Sequence, residues 1–296
     1  MRLSIKKLVI PLAGFGMRFL PVSKNYPKEM INLVDRPIVQ YLVQEACESG
    51  IREVIFVVNG GKDIIKQYFS SYQYSRQKKA CRVSPIACEN LKELESLLRV
   101  IRFRIIKKNM TLGDGHSILC AESYLVREKA FAVTMGDLLG LGPKPFLSQL
   151  AEQYALTGAP MVSVERVPKE AVSRFGIIAP AESRAGLHRV LDVVEKPRPE
   201  IAPSNLALTG KYILTPAIFP YLKRAYREKT DNEVRLATAL KFYAADYPLF
   251  AYECEGKIQD TGNKLDLLKA TVNFGLTHKN FGAEFKKFLK SLPLEN

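Results

Sequence analysis

The chain has 296 residues, 47% hydrophobic and 25% charged, which suits one large α/β domain or two small ones with a sizeable core. No apolar run of about 18 residues or more occurs, so no membrane insertion is expected, and Met1 to Lys7 lacks the apolar stretch and cleavage site of a signal peptide. The net charge of +14 suggests polyanionic partners, but the basic residues are spread out, at Lys6-Lys7, Arg76 to Lys79, Arg102 to Lys108, Lys223 to Lys229 and Lys286-Lys287. No recognition-helix or RNA-binding aromatic pattern accompanies them, so small anionic substrates are expected rather than nucleic acid.

The first informative stretch is Leu8 to Met30, LVIPLAGFGMRFLPVSKNYPKEM. A strand-like run, Leu8 to Pro11, enters a small-residue turn, Ala13-Gly14-Phe15-Gly16, followed by Arg18, Lys24, Lys28 and Glu29. A strand ending in a glycine turn leaves backbone N–H groups exposed, and nearby Arg and Lys neutralise phosphate oxygens. The pattern reads as a phosphate-binding loop on the first strand of a sheet. It lacks the Gly-Lys-Ser/Thr of a Walker loop, and Phe19 stands where a dinucleotide fingerprint needs its third glycine.

Pro37 to Ser49 has apolar residues at 38, 39, 42, 43 and 46, a helical face with Gly50 after its end. Glu53 to Val58 is a strand, followed by Asn59-Gly60-Gly61 and a helix from about Lys62 to Phe69. Strand–helix alternation predicts a parallel sheet. Tyr72, Tyr74 and the cluster Arg76 to Lys79 read as a solvated face or a subunit contact. Glu89 to Val100 is predicted helical and Ile101 to Ile106 a strand.

Thr111 to Ala121 (TLGDGHSILCA) is a glycine loop opening onto a helix, a second candidate anion or base-edge site; His116 there reads as structural rather than as a catalytic base. Phe131 to Met135 is a buried strand ending in Gly136-Asp137, and a carboxylate at such a tip points into a ligand crevice. Asp137 is a candidate Mg2+ ligand, with helix capping as the alternative.

The second half is more antiparallel in pattern, with strands at Met161 to Val167, Ile177-Ile178, Val190 to Glu195, Leu208 to Leu214 and Leu249 to Cys254. Helices are predicted after Thr215-Pro216, over Asn232 to Tyr243, and after Gln259-Asp260-Thr261-Gly262-Asn263-Lys264 up to about Leu289. Glu195-Lys196 adjoins Pro197; neighbours on a strand face opposite ways unless the turn re-aims one of them. The five cysteines, 47, 81, 88, 120 and 254, are odd in number and irregularly spaced, so reduced thiols in a cytoplasm are expected. The three histidines, 116, 188 and 278, are too scattered for a zinc site.

The string Gly14-x-Gly16-x-Arg18-x2-Pro21-x2-Lys24-x2-Pro27-Lys28-Glu29-Met30 resembles the signature of the sugar nucleotidyltransferases. Its Pro-Lys-Glu-Met ending points to the bacterial UTP–glucose-1-phosphate uridylyltransferases. Further blocks fit that pattern at Thr111 to Ala121, Val172 to Ile178, Val194 to Leu206, Gly210 to Thr215 and Gln259 to Ala270, so the resemblance runs from about Lys6 to Leu289.

The resemblance implies a Rossmann-like α/β fold with a mixed, mostly parallel central sheet. It implies one nucleotidyltransferase domain: about 1–140 for the nucleotide, about 141–255 for the sugar phosphate, and about 256–296 carrying a metal carboxylate and C-terminal helices. UTP, glucose-1-phosphate, Mg2+ and a homo-oligomer, dimer or tetramer, follow from the same source.

On this pattern Arg18 and Lys28 hold the triphosphate, and Ala13, Gly14, Gly16, Glu29, Lys108, Gly115 and Gly136 line the nucleotide. Asp137 and Asp260 hold Mg2+; Gly176, Glu195, Lys196 and Asn205 hold the sugar phosphate. Several positions depart from the pattern: Met17 replaces Thr, Lys108 replaces a base-reading Gln, Leu112 replaces Lys, Leu138 replaces a second acid, and Arg235, Ala237 and Thr238 change the 232–240 segment. Altered base or sugar choice, or a weakly active regulatory paralogue, therefore stays open beside uridylyl transfer.

Overall fold

The computed structural model describes residues 5–60, 63–70, 85–109 and 112–293; Gly61, Lys62, Tyr72, Tyr74, Arg76 to Lys79, Cys81 and Thr111 lie outside the described residues. Strand β1 (Lys7–Leu12) pairs in parallel with β4 (Glu53–Asn59) on one side and β6 (Phe131–Thr134) on the other. β4 pairs in parallel with β5 (Arg102–Lys108). The continuous apolar runs of β1 and β4 follow from this central place, because both faces are covered.

Leu8, Ile10, Leu12, Val54, Phe56 and Val58 pack with α1 (Ile38–Glu48) and α3 (Pro85–Val100). Val9, Ile55 and Val57 turn to the other face, against α4 (Asp114–Cys120), α7 (Phe219–Arg227) and α8 (Leu236–Asp246). Each fully buried aliphatic side chain stabilises this sandwich by about 1.5–3 kcal/mol. Shorter helices α2 (Asp63–Tyr68) and α5 (Glu122–Leu125) complete the first half, and α6 (Phe146–Thr157) opens the second.

The second half grows on the same sheet. β11 (Leu206–Leu214), buried throughout, runs antiparallel to β6 and to β8 (Met161–Arg166). β12 (Phe250–Glu253) runs parallel to β8, and β10 (Leu187–Glu195) antiparallel to β12 and to β9 (Gly176–Arg184). The order is β5-β4-β1-β6-β11-β8-β12-β10-β9, and β9 bends back to touch β11 at Ile177–Ala207, so this half curls. Beside a short ladder of β2 (Asn32–Leu33) and β3 (Arg36–Pro37), β7 (Leu138–Leu141) pairs with β13 (Lys257–Asp260). Helices α9 (Lys264–Leu276) and α10 (Gly282–Ser291) follow.

The sheet is mixed, as expected, but not mostly parallel: four of its eight neighbour pairings are parallel, three of them in the first half and β12–β8 in the second. One predicted helix is shorter than its pattern. Asn232 to Arg235 is not helical; α8 begins only at Leu236. Val234 spends its backbone on the glycine loop instead, donating to Leu112 O at 2.6 Å and accepting from Gly115 N at 2.9 Å. Those bonds replace the i→i−4 ladder that a helix would need there. The four described cysteines are free thiols, and among the described residues no helix is long and apolar enough to cross a membrane.

Candidate active site

Two cavities open at the end of the sheet where β1 and β6 finish. One, about 260 Å³, is lined by Pro11, Ala13, Gly14, Lys28, Glu29, Ser117 and Gly136. The other, about 380 Å³, is lined by Arg18, Arg174, Gly176, Glu195, Lys196, Tyr212 and Asp260. Gly113, Asp114, Met135, Asp137 and Leu138 line both. The two form adjoining chambers with Asp137 on the shared wall.

The opening loop folds as three short 3-10 turns, 17–19, 22–24 and 28–30. Gly16 makes the bend at φ 66°, in the left-handed region, and its carbonyl accepts from Phe19 N at 2.8 Å and Ser23 Oγ at 2.7 Å. Gly16 therefore shapes the loop without lining either chamber. Met17 is 70% exposed. The last turn buries Glu29 and sends Lys28 across the chamber, where Nζ lies 2.5 Å from Asp137 Oδ2. Burial opposes the Lys28 charge, but Asp137, Glu29 and Asp260 outweigh it, and its pKa is raised.

Asp137 and Asp260 come together through the β7–β13 ladder. Thr261 donates to Asp137 O from its backbone N at 2.8 Å and from its hydroxyl at 2.9 Å. Gly262 N donates to Asp260 Oδ1 at 2.6 Å. A Cβ on Gly262 would stand 2.9 Å from Asp260 Oδ1 and 3.1 Å from Asp137 Oδ2, so both carboxylates converge on a hollow that only glycine leaves open. Burial pushes the Asp260 carboxyl up, and Asp137 beside it adds to the push. Among the described residues no group of three His, Cys, Asp or Glu could hold a metal by itself. Two converging carboxylates nevertheless fit Mg2+, which takes one or two carboxylates and completes its shell with waters and substrate phosphates.

The geometric question at Glu195-Lys196 has a clear answer. Lys196 adopts φ 48°, left-handed for a non-glycine residue, and donates its N–H to Phe175 O at 2.9 Å. This breaks the strand alternation, so both side chains line the same chamber, with Lys196 Nζ 3.4 Å from Glu195 Oε1. Gly176 lies beneath them; a Cβ there would come 3.2 Å from Glu195 Oε2.

Together these contacts place the Lys28 loop, the Asp137–Asp260 pair and Glu195 with Lys196 around two adjoining chambers. A model of the Nucleotidyl transferase family matches residues 7–275. The chain belongs to this family. A nucleotidyl transferase of Bacillus subtilis (strain 168), UTP--glucose-1-phosphate uridylyltransferase YngB, is 36% identical over 295 residues, covering 99% of this chain and 97% of the relative. A UTP--glucose-1-phosphate uridylyltransferase of Staphylococcus haemolyticus is 35% identical over 97% of this chain and 98% of its own. Among solved structures, a UTP-bound UGPase from Acinetobacter baumannii superposes with a TM-score of 0.86 at 34% identity, covering 97% of this chain and 99% of that one. A UDP-glucose pyrophosphorylase complexed with UDP-glucose gives 0.82 at 34% identity over 93% and 100%.

Besides Gly16, three expected nucleotidyl transferase site residues stand elsewhere. Gly115 lines neither chamber: its N–H is already donated to Val234 O, with Asp114 Oδ1 at 2.7 Å, so it is not an open anion donor. Asn205 donates its amide to Val167 O at 3.3 Å, holding the approach to β11 outside both chambers. Lys108 is exposed at the end of β5, where its charge acts on His116 and Cys120. His116 is structural, as expected: Nδ1 accepts from Leu112 N at 3.1 Å, the ring stacks on Tyr226, and burial followed by Lys108 and Lys229 lowers its pKa.

Arg174, Asp114, Tyr212, Glu233 and Arg235 line the larger chamber, yet the sequence marked none of them as a ligand residue. Arg174 lies 2.9 Å from Asp266 and 3.5 Å from Asp260. Its place in Ser-Arg-Phe-Gly, two residues before a glycine already read as a candidate site residue, was the one available signal.

Proposed function

We infer that this protein is a UTP–glucose-1-phosphate uridylyltransferase, forming UDP-glucose and pyrophosphate. The observation that carries the reading is the pair of chambers sharing the Asp137 wall, one bordered by the Lys28 loop and the other by Glu195-Lys196. Full-length relatives at 35–36% identity bearing that name support it.

A phosphate oxygen of the sugar phosphate bonds to the α-phosphorus of UTP while the bond from that phosphorus to the bridging oxygen breaks, its electron pair leaving with pyrophosphate. No protein nucleophile is needed, so the chain supplies position and charge. Lys28 from the smaller chamber and Arg18 from the larger one neutralise the triphosphate, and Ala13, Gly14 and Glu29 border the nucleotide. Lys196 neutralises the sugar phosphate, Gly176 lets the sugar approach, and Glu195 accepts hydrogen bonds from its hydroxyls. Asp137 and Asp260 would hold Mg2+, which supplies charge neutralisation at the phosphoryl oxygens.

Pyrophosphate release, measured with glucose-1-phosphate and each of UTP, dTTP, CTP, ATP and GTP, tests the reading. Turnover with UTP above the others is expected. Preference for another nucleotide, or no turnover from folded protein with Mg2+, overturns it.

A further inference from the structure

Asp114 stands between Gly113 and Gly115 in the glycine loop, on the wall shared by the two chambers. It is the first residue of α4, and Oδ1 accepts from two backbone donors, Gly115 N at 2.7 Å and Leu236 N at 3.1 Å. The donors come from segments more than a hundred residues apart, so the carboxylate is held from two sides.

Its electrostatic neighbours belong to the larger chamber. Glu195 and Asp114 both act on the buried Tyr212 phenol, which burial first of all pushes upward. Ala237 and Arg235, flanking the Leu236 donor, line that chamber too, and none of these residues lines the smaller one. An ionised carboxylate only accepts hydrogen bonds. Phosphates offer it no donor and repel it; the hydroxyls of a hexose offer several.

We propose that Asp114 is a specificity-determining residue that accepts a hydrogen bond from a hexose hydroxyl of the sugar phosphate, working beside Glu195. This rests on the sugar-side reading of the larger chamber given above. Burial pushes the Asp114 carboxyl up to about 6, against the pull of Leu236 and Gly115, with Glu195 adding to the rise. At neutral pH it is an ionised acceptor. A site built to bond a hydroxyl discriminates against the analogue lacking it, because the carboxylate is then left without its partner.

The test compares wild type, Asp114→Leu and Asp114→Asn by pyrophosphate release with UTP and glucose-1-phosphate, then with its 2-, 3-, 4- and 6-deoxy analogues, and with dUTP in place of UTP. Wild-type turnover of the parent pair checks the functional reading separately. For one deoxy analogue, wild type should lose about 10–100-fold in kcat/KM. Asp114→Leu should bring that ratio to within about 3-fold of unity, with the UTP-to-dUTP ratio unchanged. Asp114→Asn, whose amide oxygen still accepts both N–H groups, carries the test if the leucine variant does not fold, and should shrink the same ratio. Unchanged discrimination among all four analogues, or a shift in the UTP-to-dUTP ratio instead, overturns the proposal.

Discussion

Lys28 Nζ lies 2.5 Å from Asp137 Oδ2, joining the opening loop to the loop after β6 across 109 residues of sequence. The contact brings a cation of the opening loop onto a proposed metal carboxylate, so the ammonium and an arriving Mg2+ would draw on the same negative charge. Removing either carboxylate of the pair should therefore disable the site without unfolding the chain. Asp137→Ala and Asp260→Ala are each expected to lower kcat by two orders of magnitude or more, roughly 3 kcal/mol or more. Melting curves, with activity titrated against Mg2+, check this; near-normal Mg2+-dependent turnover in either variant removes that residue from the metal site.

Gly262→Ala probes the same hollow from the backbone side. Its Cβ would press on Asp260 Oδ1 and Asp137 Oδ2, at 2.9 and 3.1 Å. The Mg2+ concentration for half-maximal activity should rise by about 10–100-fold, the scale on which support around a metal acts. An unshifted Mg2+ curve would mean that the ion binds elsewhere.

Lys196 owes its place to its left-handed backbone, and its side chain is 57% exposed. Its effect should fall on the sugar phosphate, the substrate it is proposed to neutralise. Lys196→Ala is expected to cut kcat/KM for glucose-1-phosphate by about 10²-fold or more while the UTP KM stays within a few-fold. An equal rise in the UTP KM would contradict the assignment.

Asp114 also makes stability depend on pH. Its folded pKa is raised from 3.8 to about 6. Below the lower value both folded and unfolded chains hold the proton. Between the two, only the folded chain holds it, so stability from this group is present at low pH and is lost as pH rises through about 6. Asp114→Asn should gain about 1–3 kcal/mol relative to wild type at pH 7.5 compared with pH 4. Urea melts at the two pH values measure the difference; a gain of equal size at both excludes this titration.

In the core, Lys211 is fully buried on β11 and reaches Glu45 Oε2 at 2.6 Å. Removing one partner leaves a buried charge alone. Lys211→Met should cost about 3–5 kcal/mol in urea unfolding. Adding Glu45→Gln should recover much of it, since the amide oxygen can still accept from Leu147 N, now at 3.2 Å from Glu45 Oε1.

Much of this molecule was legible in one dimension. The unbroken apolar runs of β1 and β4 required cover on both faces, and the helical period of 38, 39, 42, 43 and 46 named the face of α1 that covers one of them. The loop from Gly14 to Glu29 carried its pattern within a short stretch, so it read as a candidate phosphate loop, and its resemblance to the family signature pointed to the family. The segment from Asn232 to Arg235 misled for a physical reason: its backbone bonds to Leu112 and Gly115, and no local pattern encodes a partner so far along the chain.

By itself, then, the sequence determined most of the elements and a sheet parallel in its first half and more antiparallel in its second, because periodicity is local, while the candidate sugar residues and the metal pair came from the resemblance to the family. Tertiary structure alone decided which of them meet. The β7–β13 ladder brings Asp260 to Asp137. A positive φ at Lys196 turns it to the side of Glu195. The 232–235 segment closes over the glycine loop, spending the Gly115 N–H and fixing Asp114 on the wall between the chambers. Each of these depends on hydrogen bonds between distant strands and loops, whose partners exist only once the sheet has formed.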